Sequence, residues 1–186
     1  MKLHHSPSGC LACLTAVCTS GVGAAHLDAV AHVDLERYMG EWRVIACVEN
    51  SVEREFVDAV ETYERRSDGN IGVTFRWRER SFSSPVNTHR FIGWVTDLRS
   101  NARWKMRLVP FFTASYVIIG VGADYEWAAV AHPTRQFGWV LGRARTLPND
   151  RYRHILRLFA RQGYEERAFI KVPQMMPTRA VAELRA

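Results

Sequence analysis

The side chains that could do chemistry in this chain are few and scattered. Cys10 and Cys13 stand in C-x-x-C spacing with Cys18 close behind, but all three fall in one short apolar stretch near the N-terminus. They are read as part of a leader, not as a metal or redox pair. The fourth cysteine, Cys47, lies in an apolar strand pattern with no basic neighbour to lower its pKa, so a buried, inert thiol is expected. The histidines are His4, His5, His26, His32, His89, His132 and His154, and no His-Glu-x-x-His or Gly-x-Ser-x-Gly motif accompanies them. Gly21-Val22-Gly23 and Gly120-Val121-Gly122 each lack the third glycine of a dinucleotide loop. His89 and His132 sit in strand patterns, where they could face an interior or be solvated or internally satisfied. The pattern points to a binding protein, with no catalytic residue, metal or cofactor expected. The alternative kept open is an enzyme dependent on Cys47.

A basic start at Lys2, an apolar run from Cys10 to Val17 and small residues at Gly21, Gly23, Ala24 and Ala25 describe an export leader over residues 1–25. The run is far short of the ~18 apolar residues a membrane span needs. A signal peptide cut after Ala24 or Ala25, a lipoprotein anchored through Cys18, and an unprocessed leader all remain open. Export would place the chain in the cell envelope, in the periplasm or at the outer membrane. Once cut, it would keep Cys47 alone and could form no internal disulfide.

The rest of the chain supplies elements that could enclose a ligand. From about residue 34 to 143 strands follow one another at short intervals. Expected strands span 40–50, 56–66, 71–80, 88–98, 102–109, 115–122, 126–132 and 136–143, with Ser67-Asp68-Gly69-Asn70 as a hairpin turn. Ile71, Val73, Phe75 and Trp77 alternate with Thr74, Arg76 and Arg78, and Trp104, Met106 and Leu108 alternate with Arg103, Lys105 and Arg107. Eight antiparallel strands can close into a barrel that removes exposed edges and leaves room for one small ligand. Pro148-Asn149-Asp150 signals a helix start, Tyr152, Ile155, Leu156 and Phe159 form one apolar stripe, and Gly163 is a stop. That helix should pack on the outer wall. Residues 168–172 could form a short closing strand, and 174–186 a flexible tail. The fold class is all-β: an antiparallel meander over residues 33–173, closed as an up-and-down barrel or sandwiched, with one C-terminal helix outside.

Several motifs resemble those of lipocalins. Gly40-Glu41-Trp42 matches the Gly-x-Trp that opens the first strand, and Pro110-Phe111 with Tyr116 resembles a segment of the bacterial outer-membrane, apolipoprotein D-like branch. Asp124-Tyr125 stands where Thr-Asp-Tyr belongs, with Ala123 in place of Thr. Trp139-Val140-Leu141-Gly142-Arg143 resembles the last strand with its arginine, and its spacing favours Arg143 over Arg145. The resemblance runs to about Val172. It implies that Gly40, Trp42, Asp124, Tyr125 and Arg143 are structural, with the Arg143 guanidinium lying over the Trp42 indole.

It also implies a cavity for a small hydrophobic ligand, a fatty acid or lysophospholipid, carried or stored. A tetrapyrrole or similar non-lipid hydrophobe is the alternative. Candidate lumen residues are Phe75, Trp77, Phe91, Trp104, Met106, Val117 and Ile119, each of which could instead be packing at the closed end. The formal charge of +6 is read as outward strand and helix faces suited to an anionic membrane surface. No nucleic-acid motif accompanies it. A homodimer is possible.

Overall fold

The computed structural model describes residues 26–176. The leader, Cys18 and the end of the expected tail lie outside them. A single turn of helix, α1 (Leu35–Tyr38), precedes eight antiparallel strands: β1 (Gly40–Val48), β2 (Phe56–Arg65), β3 (Ile71–Glu79), β4 (Asn87–Val95), β5 (Arg103–Val109), β6 (Phe112–Val121), β7 (Trp127–Ala131) and β8 (Gly138–Gly142). Each strand pairs with the next, and β1 closes the ring by pairing with both β2 and β8. A short ninth strand, β9 (Phe169–Lys171), adds to the upper half of β1, beyond the point where β2 has left it.

The strands form where apolar and polar residues alternate, and they end at tight turns. At Ser67–Asn70, Gly69 takes φ +80° and the Asp68 carboxylate accepts from the Asn70 amide at 3.0 Å. That is local turn chemistry of the kind Asp and Gly favour.

The barrel has an inner core and an outer one. Inside, Trp42, Val44, Tyr63, Ile71, Val73, Trp104, Met106, Tyr116 and Ile118 pack together. Outside, helix α2 (Asn149–Arg161) lays fully buried Ile155 and Phe159 against Val117, Ile119, Trp127, Ala129, Ala131 and Val140. Its stripe is the one the sequence spacing gives. Gly120 allows the close approach, because a Cβ there would sit 2.8 Å from Leu158 Cδ1. Both faces of β6 and β7 are therefore apolar, one covered by the lumen contents and one by α2.

Candidate functional site

The closed end is built first. Gly40 enters β1 with φ +91°, a conformation glycine adopts without strain, and a Cβ there would meet Arg143 Nη1 at 3.4 Å. The Arg143 guanidinium lies 3.8 Å from the centre of the Trp42 ring. It also donates to the carbonyls of Glu41 at 2.8 Å, Arg37 at 2.8 Å and Met39 at 2.8 Å, which ties α1 to the barrel floor. Trp42 Nε1 donates to the Tyr38 carbonyl at 2.7 Å.

Tyr125 completes the plug: its hydroxyl accepts from the Asp34 amide at 2.8 Å, and Arg37 stacks 4.4 Å from its ring centre. Its motif neighbour Asp124 is exposed, and the Ala123 carbonyl accepts from Arg37 at 3.0 Å. Arg145 goes elsewhere, 3.8 Å from Asp58.

The other half of the barrel is hollow. A cavity of about 170 Å³ opens at the end opposite the plug. One water needs only roughly 10–15 Å³, so this space is a ligand-sized chamber and not a packing defect. Its walls are mainly aromatic. Phe75 and Trp77 stack at 4.9 Å, Phe56 sits 5.2 Å from Trp77, and Phe137 and Trp139 stack at 6.2 Å.

Of the candidate lumen residues, Phe75, Trp77, Phe91 and Met106 line this cavity. Trp104 is fully buried in the floor, where it stacks 5.3 Å from Tyr116. Val117 and Ile119 are corrected: they point outward and pack beneath α2. The neighbouring parity on β6, Ala114 and Tyr116, faces the cavity. An apolar strand covered on both faces carries no alternation from which to choose.

Sequence reasoning also missed the polar groups of the chamber. Glu61 on β2 and Glu53 in the β1–β2 loop both line it. Burial raises the Glu61 carboxyl to about 7, opposed by a hydrogen bond from the Tyr63 hydroxyl. Glu53 is likewise raised, mainly by burial, and it accepts from Trp139 Nε1 at 3.0 Å and Asn50 Nδ2 at 2.7 Å. The Tyr116 hydroxyl lies 2.8 Å from those of both Tyr63 and Tyr38, so three phenols connect Glu61 to the floor.

A β-bulge between Val57 and Val60 hides Glu61 from the sequence pattern. Counting by twos from inward Phe56 selects Asp58 and Val60, whereas the bulge turns Ala59, Glu61 and Tyr63 inward. Strand alternation counted backward from Tyr63 would have found it.

His89 and His132 both line the cavity, and each has one ring nitrogen engaged. His89 Nε2 is 2.8 Å from the Leu108 carbonyl, and His132 Nδ1 is 2.9 Å from Thr134 Oγ1. Burial, with a lesser contribution from Lys105, lowers the His132 pKa and favours its neutral form. Cys47 is buried, and burial together with Glu53 and Glu49 pushes its thiol up, the opposite of what a nucleophile needs.

A chamber inside an eight-stranded barrel, an arginine-over-tryptophan plug at its closed end and one outer helix coincide with a sequence-family match. Residues 33–174 match the lipocalin-like domain. The chain belongs to the lipocalin family. This lipocalin is 28% identical over 161 residues to outer membrane lipoprotein Blc of Citrobacter freundii, covering 87% of this chain and 90% of that one. It is 25% identical over 157 residues to temperature-induced lipocalin-1 of Arabidopsis thaliana, covering 80% and 83% of the two chains. Among solved structures, insecticyanin from the tobacco hornworm Manduca sexta superposes with a TM-score of 0.64 at 14% identity, covering 84% of this lipocalin and 87% of that chain. At that identity the match concerns the fold. Membership of the family makes the chain a binding protein for small hydrophobic molecules, not an enzyme.

Proposed function

We propose that this lipocalin binds an acyl-chain lipid, of the fatty acid or lysophospholipid type, in the open half of the barrel and carries or stores it in the cell envelope. The observation that carries the reading is the chamber wall. Phe75, Trp77, Phe91, Leu108, Phe112 and Trp139 present apolar surface to a space open at one end. Apolar surface buried there contributes roughly 25 cal/mol per Å², so a flexible alkyl chain gains affinity from area alone. The envelope location is supported by the leader pattern in residues 1–25 and by the name of the Citrobacter relative, an outer membrane lipoprotein.

The test has two parts. A neutral, environment-sensitive dye bound in the cavity should be displaced saturably by lysophosphatidylcholine, and organic extracts of natively purified protein should contain lipid by mass spectrometry. No saturable displacement and a lipid-free extract would overturn the reading.

A further inference from the structure

Among the lining residues of the chamber are two carboxylic acids, Glu53 and Glu61, and no lysine or arginine. The cation nearest the chamber, Lys105, is held on the Ser115 hydroxyl at 3.0 Å and is not itself part of the lining. Glu61 lies deep, opposite Trp42 of the plug on one side and Phe75 on the other in the strand register. With Glu61 ionised, the direction of the hydroxyl chain beneath it follows from counting protons. Tyr63 donates to Glu61, and each phenol has one proton to give. Tyr63 must then accept from Tyr116, and Tyr116 from Tyr38, across contacts of 2.8 Å each. All three phenolic protons point toward the Glu61 carboxylate, and none is left for a ligand.

On the walls two further donors are spent. The Trp139 indole N–H is consumed by Glu53, and His89 faces the Leu108 carbonyl. Trp77 Nε1, a buried donor with no partner among the described residues, is neutral. What the deep end offers an incoming group is therefore an acceptor. A second carboxylate placed there would meet Glu61 at short range in a medium of low dielectric.

We propose that the ligand's polar end enters first and that Glu61 selects a hydrogen-bond-donating or cationic head, above all an amine or ammonium, over a free carboxylate. This rests on the cavity reading above and narrows it to lipids with cationic or zwitterionic heads. The groups facing Glu61 are Tyr63 on its own strand, Tyr116 from β6, Tyr38 from α1, Glu53 from the β1–β2 loop, and His89 and His132 across the chamber. Burial has placed the Glu61 titration near neutrality. Amine affinity therefore rises as pH rises through that range and Glu61 ionises, while carboxylate affinity falls.

The experiment displaces the neutral dye from the full-length protein with decylamine, decanol and decanoate, each at pH 5.5 and 8.5. At pH 8.5 decylamine should bind at least about tenfold more tightly than decanoate, the scale of one charge-assisted hydrogen bond. The ratio should shrink at pH 5.5. In Glu61→Gln, an isostere that still accepts from Tyr63, it should fall to within about twofold at both pH values, with the variant's melt confirming a folded barrel. If Glu61→Gln fails to fold, the wild-type pH series decides alone. Equal binding of amine and carboxylate at pH 8.5, or a preference that ignores both pH and the substitution, overturns this inference while decanol displacement leaves the cavity reading standing. Failure of decanol itself to displace the dye overturns both.

Discussion

The two ends of this barrel use the same strands and the same alternation to opposite effect. At the closed end every inward position is filled: Trp42, Trp104, Tyr38 and Tyr63 are at most 1% exposed, and Arg143 caps them through cation–π contact and backbone carbonyls. At the open end the inward residues are also large and aromatic, yet Phe75, Trp77, Phe91 and Trp139 stay half-buried around a space. The loops there expose Phe82, Val86 and Phe111, with Phe111 fully exposed at the tip of the β5–β6 hairpin. Leu98 is exposed in the β4–β5 turn at the other end. Residue type does not separate the halves. What separates them is whether a second element, α1 with the Arg143 plug, comes across to fill the remaining volume. Stability is expected to concentrate where that volume is filled, and binding where it is not.

The largest expected effect breaks the closed end. Trp42→Ala removes a fully buried indole and should cost about 3–5 kcal/mol. In a domain of this size that is a fall of roughly 10 °C in Tm by calorimetry. A melt unchanged from wild type would remove the plug from the account. Arg143→Lys is the next test. It keeps the charge but loses the planar fork that reaches the Glu41, Arg37 and Met39 carbonyls together, so a loss of about 1–3 kcal/mol is expected. Full stability with lysine would mean that charge alone does the work.

The third prediction concerns the junction of the two halves. Glu61 has a folded-state pKa of about 7 against roughly 4.3 when unfolded, so between those values the native state holds a proton the unfolded chain has released. Its contribution therefore opposes folding increasingly as pH rises from about 4.5 to 7, and levels off above. Because the carboxyl faces a cavity open to solvent, about 1–2 kcal/mol is expected. Relative to wild type, ligand-free Glu61→Gln should gain stability at pH 8 that it lacks at pH 4.5, read by urea midpoints. A pH-independent difference would place Glu61 in a more polar setting. The smallest effect belongs to the exposed tip: Phe111→Ser should change stability by no more than about 0.5 kcal/mol. A cost comparable to Trp42→Ala would erase the distinction between the ends.

Much of this was legible without coordinates. The clean alternation in β3 and β5 identified Phe75, Trp77 and Met106 as inward-facing. The spacing from Trp139 selected Arg143 over Arg145. The apolar stripe of α2 predicted an outer helix. The failures share a cause. On β6 both faces are apolar, so Val117 and Ile119 could not be told from Tyr116 and Ile118. On β2 a bulge breaks the alternation, so the pattern counted from Phe56 carries no inward signature for Glu61. In each case the deciding fact was a neighbour remote in sequence, α2 for β6 and the register of β1 and β3 for β2.

The sequence by itself determined the strands, their turns, the closing helix and the motif that plugs one end, because these depend on local periodicity and on residue types with narrow conformational preferences. Tertiary structure alone decided where the barrel stays empty and which sign of polar group waits at the bottom. Cavity volume is what remains after all the side chains are placed. The direction of a hydroxyl chain exists only once Tyr38, Tyr63 and Tyr116, on three separate elements, meet within hydrogen-bonding distance of one another and of Glu61.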